Sequence, residues 1–207
     1  MRPLFIALGV AALWIAVASP VADLHHRMLT AHMVQHLLIM ILAAPLMMLG
    51  ARPLLARWRP FPVFCWLAGT ATVMFWHVPR IFELAMSSHS WYEFQHASFF
   101  VAGILFWWPV IQPNPRVTLG WALPLYLFSA TLPCDALSAF LAFCGHVVYR
   151  HYSYGGGQSR LSPLEDQALA GALMWVTVTF AYLIPALVVT AKLLSGERKQ
   201  AVEIGAY

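Results

Sequence analysis

Residues 28–49 read MLTAHMVQHLLIMILAAPLMML and contain no aspartate, glutamate, lysine or arginine. An apolar stretch of this length suits the roughly 20 residues with which an α-helix crosses the hydrocarbon core of a bilayer. The same stretch carries His32 and His36, which lie one helical turn apart. Because polar side chains within a membrane are costly, this pair predicts a transmembrane helix whose histidine face points into a helix bundle.

Further apolar runs flank this segment on both sides, separated by short polar or proline-containing stretches. The 207-residue chain has a mean hydropathy of +0.71, and only 10% of its residues are charged. That charge content is too low to cover a soluble protein of this size. We therefore predict an all-α fold, a polytopic membrane helix bundle of about six transmembrane helices. The predicted spans are residues 4–18, 28–49, 61–77, 92–110, 121–145 and 166–194.

The bundle is predicted to form a single domain, residues 1–194, followed by a polar cytoplasmic tail at 195–207. The first run could instead be a cleaved signal peptide, but Pro20 sits at the expected cleavage position and favours a retained span. Basic residues divide eight to four between the two ends, which predicts that both termini are cytoplasmic. The eight are Arg2, Arg52, Arg57, Arg59, Arg116, Lys192, Arg198 and Lys199; the four are Arg27, Arg80, Arg150 and Arg160.

The histidines are distributed asymmetrically on this topology. All of them fall on or near the predicted outer face, and none falls in a predicted cytoplasmic loop. They are His25, His26, His32, His36, His77, His89, His96, His146 and His151. This one-sided placement predicts a polar site at the outer end of the bundle.

Four of these histidines have the spacing of a metal site. His32 and His36 share one helix face, and His77 and His96 reach the same depth from neighbouring helices. Imidazole binds copper, zinc and iron, and thioethers such as that of Met40 shift the preference towards Cu(I). We therefore predict a metal site held by the four imidazoles. Hydrogen bonding within the bundle and proton transfer are the alternative roles.

The other candidate residues carry weaker signals. His146 is a lower-ranked ligand, whereas the histidines at 25, 26, 89 and 151 are expected to be solvated loop residues. Asp135 lies within a predicted span, where it is either a functional acid or one partner of a structural pairing. Asp166, followed by Gln167, either caps its own helix or orients a ligand imidazole. The cysteines do not form a disulfide framework and are expected to pack as small apolar residues. They are Cys65, Cys134 and Cys144.

Four sequence elements, taken together and in order, resemble the CtaG family of polytopic cytochrome c oxidase assembly factors. They are HMVQHLLIM at 32–40 followed by APL at 44–46; WHVP at 76–79; His96 followed by GILFWWP at 103–109; and Asp166-Gln167 with Gly171 and Met174-Trp175. The elements span most of the chain. Together they are specific, although no single one of them would be.

The resemblance implies a role in building the copper centres of a haem–copper oxidase in the bacterial plasma membrane, with copper handled at the outer, periplasmic side. The expected partners are cytochrome c oxidase subunits, or another respiratory complex. The family's recurrent histidines match His32, His36, His77 and His96, and its acid–amide pair matches Asp166 and Gln167. The chain is shorter than many members and matches loosely around Tyr149 and Tyr152, so a permanent accessory subunit is the other role considered.

The leading functional interpretation is a non-enzymatic, copper-binding assembly or accessory protein embedded in membrane lipid. No nucleophile–base pair, phosphate-binding loop or nucleic-acid motif is present in the sequence. The alternative is a b-type cytochrome subunit whose haem lies between two histidines such as His36 and His96. A copper or proton transporter is the third, lowest-ranked interpretation, because Asp135 is the one deep acid along the predicted spans.

Overall fold

The computed structural model describes residues 1–19, 22–55, 58, 60–112, 119–153 and 161–204, with side chains up to residue 196. Within these residues every regular element is helical, which confirms the all-α prediction. The α-helices described are α1 (Arg2–Ala18), α2 (Leu29–Leu55), α3 (Pro62–Trp76), α4 (Pro79–Met86), α5 (His89–Ile111), α6 (Ala122–Phe143) and α7 (Pro163–Ile204). Short 3-10 turns, Ala22–His26 and Arg150–Tyr152, precede α2 and follow α6.

Four of the described helices are long and apolar enough to cross a membrane: α2, α5, α6 and the Pro163–Gly196 part of α7. Helices α1 and α3 are apolar but shorter, with 17 and 15 residues. Large apolar side chains, among them Leu67, Val101 and Phe180, are exposed on the outer surface, as expected for contact with lipid. The chain is therefore a helical membrane protein, and the count of six spans stays a prediction.

Two of the basic residues predicted on the same side of the membrane, Arg2 and Arg52, lie at the same end of the bundle. They do so because α1 packs antiparallel on the second half of α2. The membrane side that this end faces stays a prediction. Helix α7 continues to Ile204, through residues predicted as the tail. Several residues behind these predictions lie outside the described residues. They are Pro20; Arg57, Arg59, Arg116 and Arg160 from the count of basic residues, with the side chains of Arg198 and Lys199; and Pro113, Pro115 and the glycines 155–157, which separate predicted spans.

Helix α4 is absent from the predicted spans, because its eight residues are too few to cross a bilayer. Pro79 begins the helix at a position where a proline loses no hydrogen bond. Phe82 and Ala85 are its buried residues. The helix follows directly on His77, so it covers the histidine end of the bundle.

Helix α2 contains a π-helical segment, Leu38–Ala43, which starts two residues after His36. Pro45 follows this segment, and a proline ring in a regular α-helix would clash with the carbonyl four residues earlier. The wider π turn gives that carbonyl room. The Trp107 indole nitrogen of α5 donates to the Met40 carbonyl within the segment, at 3.0 Å. This bond connects α2 and α5 just below the histidines.

Helices α6 and α7 form the most extensive pair in the bundle, and Gly171 lies at their contact. A Cβ atom built on Gly171 would lie 2.7 Å from the Ala142 nitrogen and 2.8 Å from the Ser138 oxygen. Both of these are backbone atoms, which cannot rotate away. A residue without a side chain therefore lets the two helices approach closely.

Replacing Gly171 with alanine should lower the free energy of unfolding by about 1–3 kcal/mol, because the added methyl group forces α6 and α7 apart. Thermal unfolding in detergent, followed by tryptophan fluorescence, measures the change. Gly196 is the matched control, since a Cβ built there meets nothing within 4 Å. Alanine at Gly196 should be neutral or stabilising by up to about 1 kcal/mol. Equal unfolding temperatures for the two variants would contradict this account of the helix contact.

Candidate metal centre

Four histidines from three segments lie together inside one end of the bundle. Helix α2 supplies His32 and His36, the end of α3 supplies His77, and α5 supplies His96. Their exposed fractions are 0%, 5%, 6% and 4%, respectively. The ring centroids are 4.3 Å apart for His32–His36, 5.6 Å for His36–His96, 6.1 Å for His36–His77 and 6.4 Å for His32–His96. We call these four residues the histidine cluster.

Backbone carbonyls fix the tautomers of two cluster members. The Nδ1 atom of His77 lies 2.7 Å from the Val73 carbonyl, and that of His96 lies 2.9 Å from the Tyr92 carbonyl. A carbonyl oxygen only accepts, so both Nδ1 atoms carry the proton. Each Nε2 atom therefore has a free lone pair, as metal-binding histidines require. The Nε2 atom of His77 lies 3.3 Å from the Met33 sulfur.

The remaining cluster nitrogens have no hydrogen-bond partner among the described residues. Both ring nitrogens of His32, both of His36 and Nε2 of His96 are buried in this way. An unsatisfied buried polar group costs about 1–3 kcal/mol. Five such atoms in one cluster would be a large cost for a bundle held by packing alone. Their concentration makes the cluster the candidate site for a ligand.

A small cavity of about 30 Å³ lies beside His36 and His77. Its size suits a single ion or water molecule. Sulfur-containing side chains form much of its wall: Met33, Met40, Met174 and Cys134. Met40, a weak candidate ligand from the sequence, thus lies on the same cavity as two of the cluster histidines.

Surrounding side chains hold the cluster in place. The Phe99 ring stacks on His36 with centroids 4.0 Å apart, and the Tyr149 hydroxyl donates to the His77 carbonyl at 3.0 Å. Gln35, between the two histidines of α2, donates to the Ala16 carbonyl at 2.8 Å. It also accepts from the Tyr92 hydroxyl at 2.9 Å, so it ties α1 and α5 to the histidine helix.

On the side of the cavity away from the histidines, a layer of buried aromatic side chains fills the bundle. The Phe106 ring lies 5.3 Å from Tyr126 and 4.8 Å from Tyr182, between ring centroids. Trp107 packs at the edge of this group, 5.8 Å from Tyr182. The Tyr126 hydroxyl donates to the Phe106 carbonyl at 2.8 Å, which satisfies its polar end. We call these four residues the aromatic layer.

Asp166 caps the histidine helix rather than its own. Its carboxylate accepts from the backbone nitrogens of Leu29 and Thr30, at 2.6 and 3.2 Å, at the start of α2. Ser162 and Glu165 cap α7 instead, through reciprocal hydrogen bonds. The prediction that Asp166 caps its own helix is therefore wrong. Its carboxylate acts on the backbone that carries His32 and His36.

Gln167 fastens the connection between α6 and α7. Its side-chain oxygen accepts from the Val148 nitrogen at 2.7 Å, and its nitrogen donates to the His146 carbonyl at 3.1 Å. The His146 ring is exposed and lies against the Cys144 sulfur, so the structure does not bring it into the cluster. Asp135 accepts from the Thr179 hydroxyl at 3.1 Å, which is the structural pairing considered from the sequence.

The predictions for the outer histidines and for the cysteines can also be compared with the structure. His26 and His89 are exposed, as expected for solvated residues, and His151 is half-buried. His25 differs, because it is buried against Tyr92. Burial lowers the pKa of His25 to about 4 and also lowers the pKa of His151. All three cysteines are free thiols, in agreement with the absence of a disulfide framework.

Sequence reasoning missed three residues of this site. Met33 is not among the predicted ligands, yet its sulfur contacts His77. Gln95 is fully buried beside His36, and neither polar atom of its amide makes a hydrogen bond of ordinary geometry with a described residue. Phe99 stacks on His36. The position of Gln95, directly before His96, was the one available signal.

In the described part of the chain, no three histidine, cysteine, aspartate or glutamate side chains form a ready-made metal-binding group. The cluster imidazoles are neighbours, but their nitrogens do not converge on one point. Side-chain rotation would be needed before they shared an ion.

The fold and the histidine cluster together define a polytopic helical membrane protein with a buried, imidazole-rich site at one end. Residues 1–195 match the family of cytochrome c oxidase caa3 assembly factors, Caa3_CtaG. The chain belongs to this family, which confirms the resemblance found in the sequence. No curated protein and no solved structure matches the chain.

Proposed function

We propose that this assembly factor binds a copper ion as cargo through the histidine cluster and delivers it to a cytochrome c oxidase during assembly of the copper centres. Family membership supports the assembly role. The observation that carries the copper proposal is the group of five buried imidazole nitrogens without partners. Because a neutral imidazole has one lone pair, His32, His36 and His96 can each offer a cation one of these nitrogens, and binding would remove the cost of leaving those three atoms unsatisfied.

The sulfur atoms around the cavity support Cu(I) as the form that is bound. Met33, Met40 and Met174 contribute thioethers, which are soft ligands that favour Cu(I) over hard cations. The cavity has no described aspartate or glutamate on its wall. A monovalent, soft ion suits such a neutral environment better than a divalent one.

The arrangement of the imidazole ligands would also allow the copper ion to be released. The Nε2 atoms of His77 and His96 are oriented by backbone carbonyls, whereas the rings of His32 and His36 are held by packing and by no hydrogen bond to a described residue. An ion bound by both pairs could be given up by stepwise loss of the two ligands that no hydrogen bond orients. Copper supplies no reaction here, and the protein acts by holding and transferring it.

The b-type cytochrome alternative fits the same residues less well. The cavity beside His36 has a volume of about 30 Å³, whereas pockets for small organic ligands usually enclose roughly 300–1,000 Å³. The Phe99 ring also stacks directly on His36. These features favour a ligand of ionic size over a porphyrin.

Metal analysis and an absorption spectrum of detergent-purified protein test the proposal. Protein from copper-supplemented cells, or apoprotein loaded from a Cu(I) donor, should hold copper in stoichiometric amount and show no Soret band. Iron with a Soret band would establish the cytochrome alternative instead. Failure to take up copper from the donor would contradict the proposal directly.

A further inference from the structure

A pocket of about 280 Å³ lies at the histidine end of the bundle, between α1, the Ala22–His26 turn, α4 and the start of α5. Its wall carries the carboxylates of Asp23 and Glu93 and the imidazoles of His25, His26 and His89. We call it the vestibule. We propose that the vestibule is the entrance through which a metal cation reaches the histidine cluster, with His25 as the residue that passes the ion inward.

The vestibule has the charge and accessibility that an entrance needs. Asp23, His26, His89 and Glu93 are all exposed. The two carboxylates attract cations from solution, and the imidazoles offer them nitrogen ligands. His89 and Glu93 lie together one turn apart on α5, with His89 Nε2 3.8 Å from the Glu93 carboxylate. This wall therefore differs from that of the inner cavity, which is apolar and rich in sulfur.

His25 lies between the vestibule and the cluster and has an unused ligand atom. Its exposed fraction is 6%, and its Nδ1 donates to the Ala22 carbonyl, so the lone pair is on Nε2. That Nε2 atom is buried without a hydrogen-bond partner among the described residues. The hydroxyl of Tyr152 donates to the His25 carbonyl at 2.6 Å, which fixes the backbone here.

A row of neighbouring imidazole rings leads from the surface to the histidine cluster. The exposed His26 ring lies 3.7 Å from that of His25, between centroids, and His25 lies 6.4 Å from His32. His32 in turn lies 4.3 Å from His36, which borders the inner cavity. The Tyr92 ring packs on both His25 and the cluster, with centroids 4.2 Å from His25 and 4.1 Å from His96. Steps of this length let an ion exchange one imidazole for the next.

This inference rests on the proposed function, since it assumes that the cluster binds copper, but it predicts a rate rather than an affinity. The test uses the full chain in detergent, with Cu(I) supplied from a coloured chelator complex whose colour changes as copper is lost. The wild-type protein is loaded first. Absence of uptake by the wild type would contradict the proposed function itself, before any variant is considered.

Two sets of variants then test the entrance. The double change Asp23→Asn and Glu93→Gln removes both carboxylates and should slow loading about tenfold at low ionic strength. His25→Phe keeps an aromatic ring against Tyr92 but removes the nitrogen, and should slow loading to a similar extent. In both cases the final amount of bound copper should equal that of the wild type. Glu165→Gln is the matched control, because Glu165 is an exposed acid at the same end of the bundle outside the vestibule.

Wild-type loading rates in the vestibule variants would overturn the inference. So would a reduced final stoichiometry, because it would make these residues permanent ligands rather than an entrance. If His25→Phe fails to fold, as judged by thermal unfolding, the carboxylate pair still decides the question, since both side chains are exposed. The expected result is slow loading with full final stoichiometry in both sets of variants. At high salt, the carboxylate variant and the wild type should load at the same rate, because salt screens the attraction of the carboxylates for the ion.

Discussion

Replacing His32 and His36 together with alanine should lower the Cu(I) affinity of the purified protein by more than about a hundredfold, since even indirect supports of a metal ligand contribute up to about that factor. Both histidines belong to α2, and their four ring nitrogens have no other described partner. Their removal therefore eliminates two of the proposed ligands without breaking a hydrogen bond to a described residue. Competition with a Cu(I) chelator of known affinity measures the loss.

The fold of this double variant should survive, because no hydrogen bond to either ring is lost. His146→Ala is the control: this lower-ranked candidate is exposed and lies apart from the cluster, so its removal should leave the affinity unchanged. Wild-type affinity in the double variant would show that copper binds elsewhere. A matching loss in His146→Ala would show that the ligand set extends to the end of α6.

Replacing Asp166 with alanine should lower the free energy of unfolding by about 2–3 kcal/mol, since it leaves the amides at the start of α2 without their charged partner. The Leu29 amide, which donates to Asp166 at 2.6 Å, belongs to a residue that is 1% exposed, so water is not expected to replace the lost acceptor. The copper affinity should fall as well, because α2 carries His32 and His36. Thermal unfolding and chelator competition, measured on the same preparation, report the two effects.

Two further variants separate the role of Asp166 from a general effect of charge. Asp166→Asn keeps an oxygen that can accept from α2, so it should recover part of the stability. Glu165→Ala removes the neighbouring acid, which caps α7 at an exposed position, and should lower the free energy of unfolding by about 1 kcal/mol or less. A larger effect for Glu165→Ala than for Asp166→Ala would rule out the capping of α2 as the main role of Asp166.

The sequence was sufficient for the fold class and for the meeting of the four cluster histidines. Apolar length identifies a membrane-crossing helix because the thickness of the bilayer is nearly constant. The alternating direction of the spans then puts His32, His77 and His96 at one end, and the fold brings them together there. Both inferences need only the order and the length of the segments, and not the details of packing.

Other features depend on tertiary contacts that the local sequence does not encode. The bond between Asp166 and Leu29 joins residues 137 positions apart. Whether a loop histidine such as His25 is solvated or buried depends on what packs over it, here Tyr92. The π segment needs the combination of Pro45 with the packing of Trp107, and helix-length rules do not reveal such a combination.

The aromatic layer has a consequence for how the protein must meet its partner. Phe106, Trp107, Tyr126 and Tyr182 fill the bundle on the far side of the cavity from the histidines, and their rings pack against one another. If the cavity holds an ion as proposed, these rings block its way on that side, and the ion would leave towards the histidine end. The recipient would then dock at the histidine end, and the rate of delivery would depend on how often a recipient reaches it.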